Sequence, residues 1–138
     1  MNNRFIAFLI LGLVSLSNKA IAQTGCELGS GLSMSGDVDS PWSIRVEFDP
    51  GEIPLNMPFD AKITICTKGA KLPDRITVDA TMPAHKHGMN YNPVTMKLKE
   101  RQYETPDLLF HMPGIWRLEI TAYENTTPYR YTYDLTVQ

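Results

Sequence analysis

The chain has 138 residues, 20% of them charged, and a formal net charge of −2 at pH 7. That length can bury one core, and a weakly acidic chain with no basic stripe is a poor partner for nucleic acid or an anionic membrane. Ten prolines, and no convincing apolar period of 3.6 residues, exclude an architecture of long helices.

In chain order, residues 1–22 read as a cleavable signal peptide. Arg4 gives a positive start, residues 5–16 an apolar run, and Ala20-Ile21-Ala22 the small-x-small pattern that signal peptidase recognises. The run is shorter than the about 20 apolar residues of a membrane span, and no second one follows. The expected location is therefore the periplasm, with no membrane span after cleavage. Losing Arg4 and Lys19 with the leader, and no acid, makes the remainder more acidic still.

Residues 23–41 are rich in Gly, Ser, Asp and Thr and read as a flexible N-terminal arm. Residues 42–138 then alternate apolar and polar in short runs separated by turn-formers. Residues 42–48 alternate strictly before Asp49-Pro50-Gly51-Glu52. Residues 59–67 place Phe59, Ala61, Ile63 and Ile65 on one face, and residues 75–81 do the same with Ile76, Val78 and Ala80. Further strands are expected over 94–98, 103–110, 115–123 and 129–137. About seven such strands predict a single immunoglobulin-like antiparallel β-sandwich, an all-β fold.

Of the two cysteines, Cys26 falls in the arm and Cys66 in a strand. An even count in an oxidising compartment favours a disulfide between them. Two alternatives carry less support. A lipid anchor on Cys26 lacks the leucine-like residue three positions back, and a thiolate metal ligand at Cys66 has no histidine close by to complete a blue-copper triad.

All three histidines stand beside methionines, in Met82-Pro83-Ala84-His85-Lys86-His87-Gly88-Met89 and in His111-Met112. Imidazole with thioether suits copper, Cu(I) above all, because thioether is a soft donor that Zn, Mg and Ca rarely use. Three histidines would also accept Cu(II). In an extended segment side chains two apart face the same way, so His85, His87 and Met89 project together unless Gly88 reverses the chain. The second cluster ends a strand just before Pro113-Gly114. Two strand-end loops meeting at one rim would offer His85, His87, Met89, His111, Met82 and Met112 to a metal. Alternation leaves two of these open. Met82 can equally be the last core residue of its strand, and Met112 shares a face with Phe110 while His111 shares the other with Leu109. Met34, Met57 and Met96 stand away from histidine and read as packing or exposed residues.

The run T-M-P-A-H-K-H-G-M-N, followed by L-L-F-H-M-P-G-I-W-R-L, resembles the YtkA-like (FixH-related) domains of exported bacterial proteins. The resemblance spans roughly residues 41–137, and its specific part about thirty residues. It implies a small immunoglobulin-like domain that handles copper outside the cytoplasm. By position, the first motif of that family falls on Met82, His85, His87 and Met89, and the second on Phe110, Met112, Gly114 and Trp116. His111 occupies a variable position of the second motif. A second exported copper-chaperone family, the PCuAC type, has a His-x-Met that this chain lacks.

The function expected from the sequence is a periplasmic copper-binding protein, a chaperone or sequestering protein and not an enzyme. Its partner would be an exported or membrane copper-accepting protein. One alternative is a copper or zinc metalloenzyme, for which Asp79 and Asp107 are the nearest acids to serve as a base. The other is a metal-independent interaction module using the Tyr129-Tyr131-Tyr133 strand.

Overall fold

The computed structural model describes residues 29–67, 69 and 71–138. The expected signal peptide and Cys26 lie outside the described residues. Ten strands follow in order: β1 (Leu32–Ser33), β2 (Ser35–Gly36), β3 (Trp42–Asp49), β4 (Phe59–Thr67), β5 (Arg75–Met82), β6 (His87–Gly88), β7 (Met96–Lys99), β8 (Gln102–Leu108), β9 (Gly114–Glu124) and β10 (Thr127–Val137). Among the described residues there is no helix long and apolar enough to cross a membrane.

The strands form two antiparallel sheets, β1-β3-β4-β8-β7 and β2-β10-β9-β5-β6. Without the two-residue strands, these are β3-β4-β8-β7 against β10-β9-β5. That is the ABED and CFG arrangement of an immunoglobulin constant-type sandwich. The period-2 patterning explains the layering. Ile44 and Val46 of β3, Phe59 to Ile65 of β4 in alternation, Val78 and Ala80 of β5, and Trp116, Leu118 and Ile120 of β9 all turn inward and are buried. Each large side chain so buried contributes about 1.5–3 kcal/mol.

Part of the segment expected as a loose arm is strand instead. Met34 donates to the Ile44 carbonyl at 3.0 Å, and Asp37 exchanges hydrogen bonds with Arg130, its N–H donating to the Arg130 carbonyl at 3.1 Å and its carboxylate accepting from the Arg130 N–H at 2.9 Å. These bonds fasten β1 to the edge of one sheet and β2 to the edge of the other. Composition alone hides this, because two-residue strands carry no periodicity.

The sandwich has two distinct ends. One gathers the β3–β4 loop, the β5–β6 turn, the β8–β9 loop and the end of β10. The other gathers the β4–β5, β7–β8 and β9–β10 connections, with Cys66 near the last residue of β4. Seven residues of strand separate Cys66 from Phe59, roughly 23 Å at 3.3 Å per residue. Cys66 therefore cannot join the histidines, and no described cysteine is free.

Gly114 opens β9 at the end that carries the β5–β6 turn, with φ +128°, and a Cβ there would meet the Met82 Cε at 2.9 Å. Met82 is only 1% exposed and has little room to retreat. Gly114→Ala is expected to cost about 2 kcal/mol, read as a lower urea midpoint with an unchanged m-value.

Candidate metal centre

The first cluster folds as a tight hairpin, and its local sequence explains why. Met82 pairs with His87 and Thr81 with Gly88, leaving residues 83–86 as the turn. Pro83 suits the first corner position, and the Met82 carbonyl accepts from both His85 (3.1 Å) and Lys86 (2.9 Å). Lys86 takes the left-handed conformation at φ 55°. The reversal thus occurs at Lys86 and not at Gly88. The extended-segment argument for His85 and His87 does not hold, because His85 sits on the turn and His87 on the returning strand.

Register then decides which way each side chain faces. Cross-strand partners share a face, so His87 lies on the inner face with Met82. Met89, whose N–H donates to the Ala80 carbonyl at 3.1 Å, lies there with Ala80. His87 and Met89 are half-buried, and Met89 packs against the core. His85, at the tip, is exposed. Met82 is a core side chain, so of its two sequence-level readings the packing one matches its position. As a metal ligand it would have to leave the core.

The β8–β9 loop brings the second cluster alongside. Phe110 is buried and Met112 is half-buried against the core, while His111 is exposed, as alternation along the strand end predicts. Two devices fix this loop. Trp116 donates its Nε1–H to the Met112 carbonyl at 2.9 Å, and its ring stacks on Phe110 at 4.4 Å with planes 8° apart. Tyr91 donates its hydroxyl to the Asp107 carbonyl (3.1 Å) and accepts from the Leu109 N–H (2.8 Å). Burial pushes the Tyr91 hydroxyl above its ordinary pKa, keeping it protonated and able to donate.

The three imidazoles converge. Ring centres lie 5.9 Å apart for His85 and His87, and 5.7 Å for His87 and His111, with the latter pair 26° from parallel. His87 and His111 both stand edge-to-face with Trp116, at 5.9 and 5.7 Å. Two imidazoles sharing one ion at about 2.0 Å per nitrogen have ring centres roughly 5–6 Å apart, so both spacings suit a shared ion. In these rotamers, however, no group of three His, Cys, Asp or Glu among the described residues is arranged to hold one. The nearly stacked rings would have to turn about χ2 to aim their lone pairs at one point, and Met89 and Met112, packed against the core, are the nearest thioethers along the chain to His87 and His111. The His87 Nδ1 stands 3.4 Å from the Gly88 carbonyl. When Nδ1–H donates there, Nε2 keeps the lone pair a metal needs.

Of the two acids considered for a catalytic role, Asp79 faces away from the histidines. Asp79 pairs with Glu119 on the outer face of β5, opposite to His87. Asp107 is exposed at φ 58°, its backbone N–H bound by the Asp60 carboxylate at 3.1 Å. The strand bearing Tyr129, Tyr131 and Tyr133 turns all three toward the core, with Tyr131 buried and its neighbours half-buried.

Comparison with protein-family models, with curated proteins and with solved structures returned no match. The likeness to YtkA-like domains therefore rests on the quoted residues alone.

Two features of this end were not legible beforehand. Tyr91 as a loop clamp leaves no sequence signal. Trp116 had one, since it closes the F-x-M-x-G-x-W pattern, but its bond to Met112 is visible only in three dimensions. Trp116→Phe keeps an aromatic ring on Phe110 and removes the donor. It is expected to cost about 1 kcal/mol and to speed amide exchange in residues 109–113, measured by native-state hydrogen exchange.

Proposed function

We propose that this chain is an exported copper-binding protein that carries Cu(I) as cargo at the rim of the sandwich, as a chaperone or sequestering protein. The observation that supports it is the convergence of His85 and His87 from one turn with His111 from another loop, with Met89 and Met112 half-buried in the same two segments. His87 and His111 are the central donors of this reading, His85 an exposed third, and Met89 and Met112 the thioethers. Met82, closed into the core, is left out.

The chemistry favours Cu(I). Thioether and imidazole match a soft, low-coordinate ion, and a thioether keeps its donor lone pairs at acidic pH and in an oxidising compartment, where a free thiolate is lost. A rim site also suits stepwise exchange with an exported or membrane acceptor, because new ligands can approach before old ones leave. Export through a signal peptide over residues 1–22, and a disulfide between Cys26 and Cys66, complete the reading. Both fit a chain that works outside the cytoplasm.

The test is titration of the purified protein with Cu(I) against a chromophoric competing chelator. Binding tighter than micromolar is expected, with at least a tenfold loss in His87→Ala and a larger one in His87→Ala/His111→Ala, since losing first ligands costs at least what outer-shell changes do. Cu(I) should also raise the melting temperature, as any ligand specific for the folded state does. Binding weaker than micromolar, or binding indifferent to both histidines, overturns the proposal.

A further inference from the structure

Met57 lies far from every histidine in the sequence, yet the fold brings its loop to the same rim. Leu55 forms a parallel bridge with Phe110, and the Asn56 N–H donates to the Phe110 carbonyl at 2.9 Å. A parallel bridge holds two backbones about 4.8 Å apart and pointing the same way. Met57 therefore leaves the bridge on one strand as His111 and Met112 leave it on the other. Asn56, left-handed at φ 59°, breaks the alternation at this point. Ile53 and Leu55 pack against the core, whereas Met57 is 60% exposed.

The rim around it is unusual for so polar a surface. Residues 53–58, 83–88 and 109–113 hold one charged side chain, Lys86, while Glu52 opens the β3–β4 loop and Gln138 follows β10 at this end. A soft cation arriving at those segments finds thioether and imidazole, the donors it prefers.

We infer that Met57 is a capture ligand, an outer thioether that takes Cu(I) from an incoming complex and passes it to the histidines. This rests on the copper reading above and adds a path to it. The step is ligand exchange without redox change. A Cu–S bond to the Met57 thioether forms as one bond to the donor breaks. The Cu–S bond then breaks as His111 or His87 binds through a ring nitrogen, and copper stays Cu(I) throughout. Because Met57 holds the ion only in passage, it governs rate and leaves the final affinity alone.

The experiment follows Cu(I) transfer from a coloured chelate complex to the whole protein by stopped flow, beside an equilibrium titration of the same samples. Met57→Leu keeps the volume and removes the sulfur. It is expected to slow transfer about tenfold while the equilibrium affinity stays within twofold. Met96→Leu is the control, since Met96 is an exposed methionine on the edge strand β7, outside the loops that carry Met57 and the histidines, and should transfer at the wild-type rate. A Met57→Leu rate equal to wild type, or an equal slowing in both variants, overturns the capture role and leaves the copper reading standing. A Met57→Leu loss of equilibrium affinity beyond tenfold overturns it too, by making Met57 a resident ligand. A wild-type chain that binds no Cu(I) overturns both.

Discussion

The histidine-bearing end of this sandwich depends on the stack of Trp116 on Phe110. Phe110 belongs to the loop that carries His111, Trp116 to a central strand of the opposite sheet, and their rings lie nearly parallel at 4.4 Å. Phe110 continues the contact to Phe59 at 5.0 Å and Phe59 to Phe48 at 5.7 Å, so a column of rings crosses from one sheet to the other beneath the rim. Offset and edge-to-face aromatic pairs each add about 0.5–1.5 kcal/mol beyond the area they bury. Trp116 also satisfies its one polar atom on the Met112 carbonyl. Tyrosine-corner residues of immunoglobulin-like domains make the same kind of return bond at the same corner. Here the anchor doubles as the wall against which two imidazoles stand.

This arrangement divides labour between stiff and loose parts. His87 is set by strand register and His111 by a loop fastened through Tyr91 and Trp116, whereas His85 rides on the hairpin tip. On the copper proposal, two donors held and one free suit a site that must release its cargo. A rigid three-ligand cage would bind more tightly and let go more slowly.

Much of the fold was legible in the sequence because strict alternation has one structural meaning when one face is buried. Residues 59–67 and 75–81 were read as strands almost to the residue, and the all-β sandwich followed from their number. The short strands β1, β2 and β6 were not legible, since two residues cannot show a period. Of the candidate site, the meeting of His85, His87 and His111 at one end was expected from two strand-end loops. The turn geometry was not, because the left-handed residue proved to be Lys86, which carries no such signal, and not Gly88, which does. Met82 and Met112 were ambiguous for a sound reason: a methionine at a strand end serves packing and ligation equally well, and only burial separates the two. Met57 could not be found at all from the sequence, because a bridge between Leu55 and Phe110 is a tertiary fact.

The last strand ends at the histidine-bearing end. Val137 pairs with Gly114, two residues before the indole that backs His87 and His111. A polyhistidine purification tag appended after Gln138 would therefore hang rival imidazoles over the rim and could supply the copper affinity by itself. An N-terminal or cleavable tag avoids the artefact, and the choice of vector becomes part of the chemistry being measured.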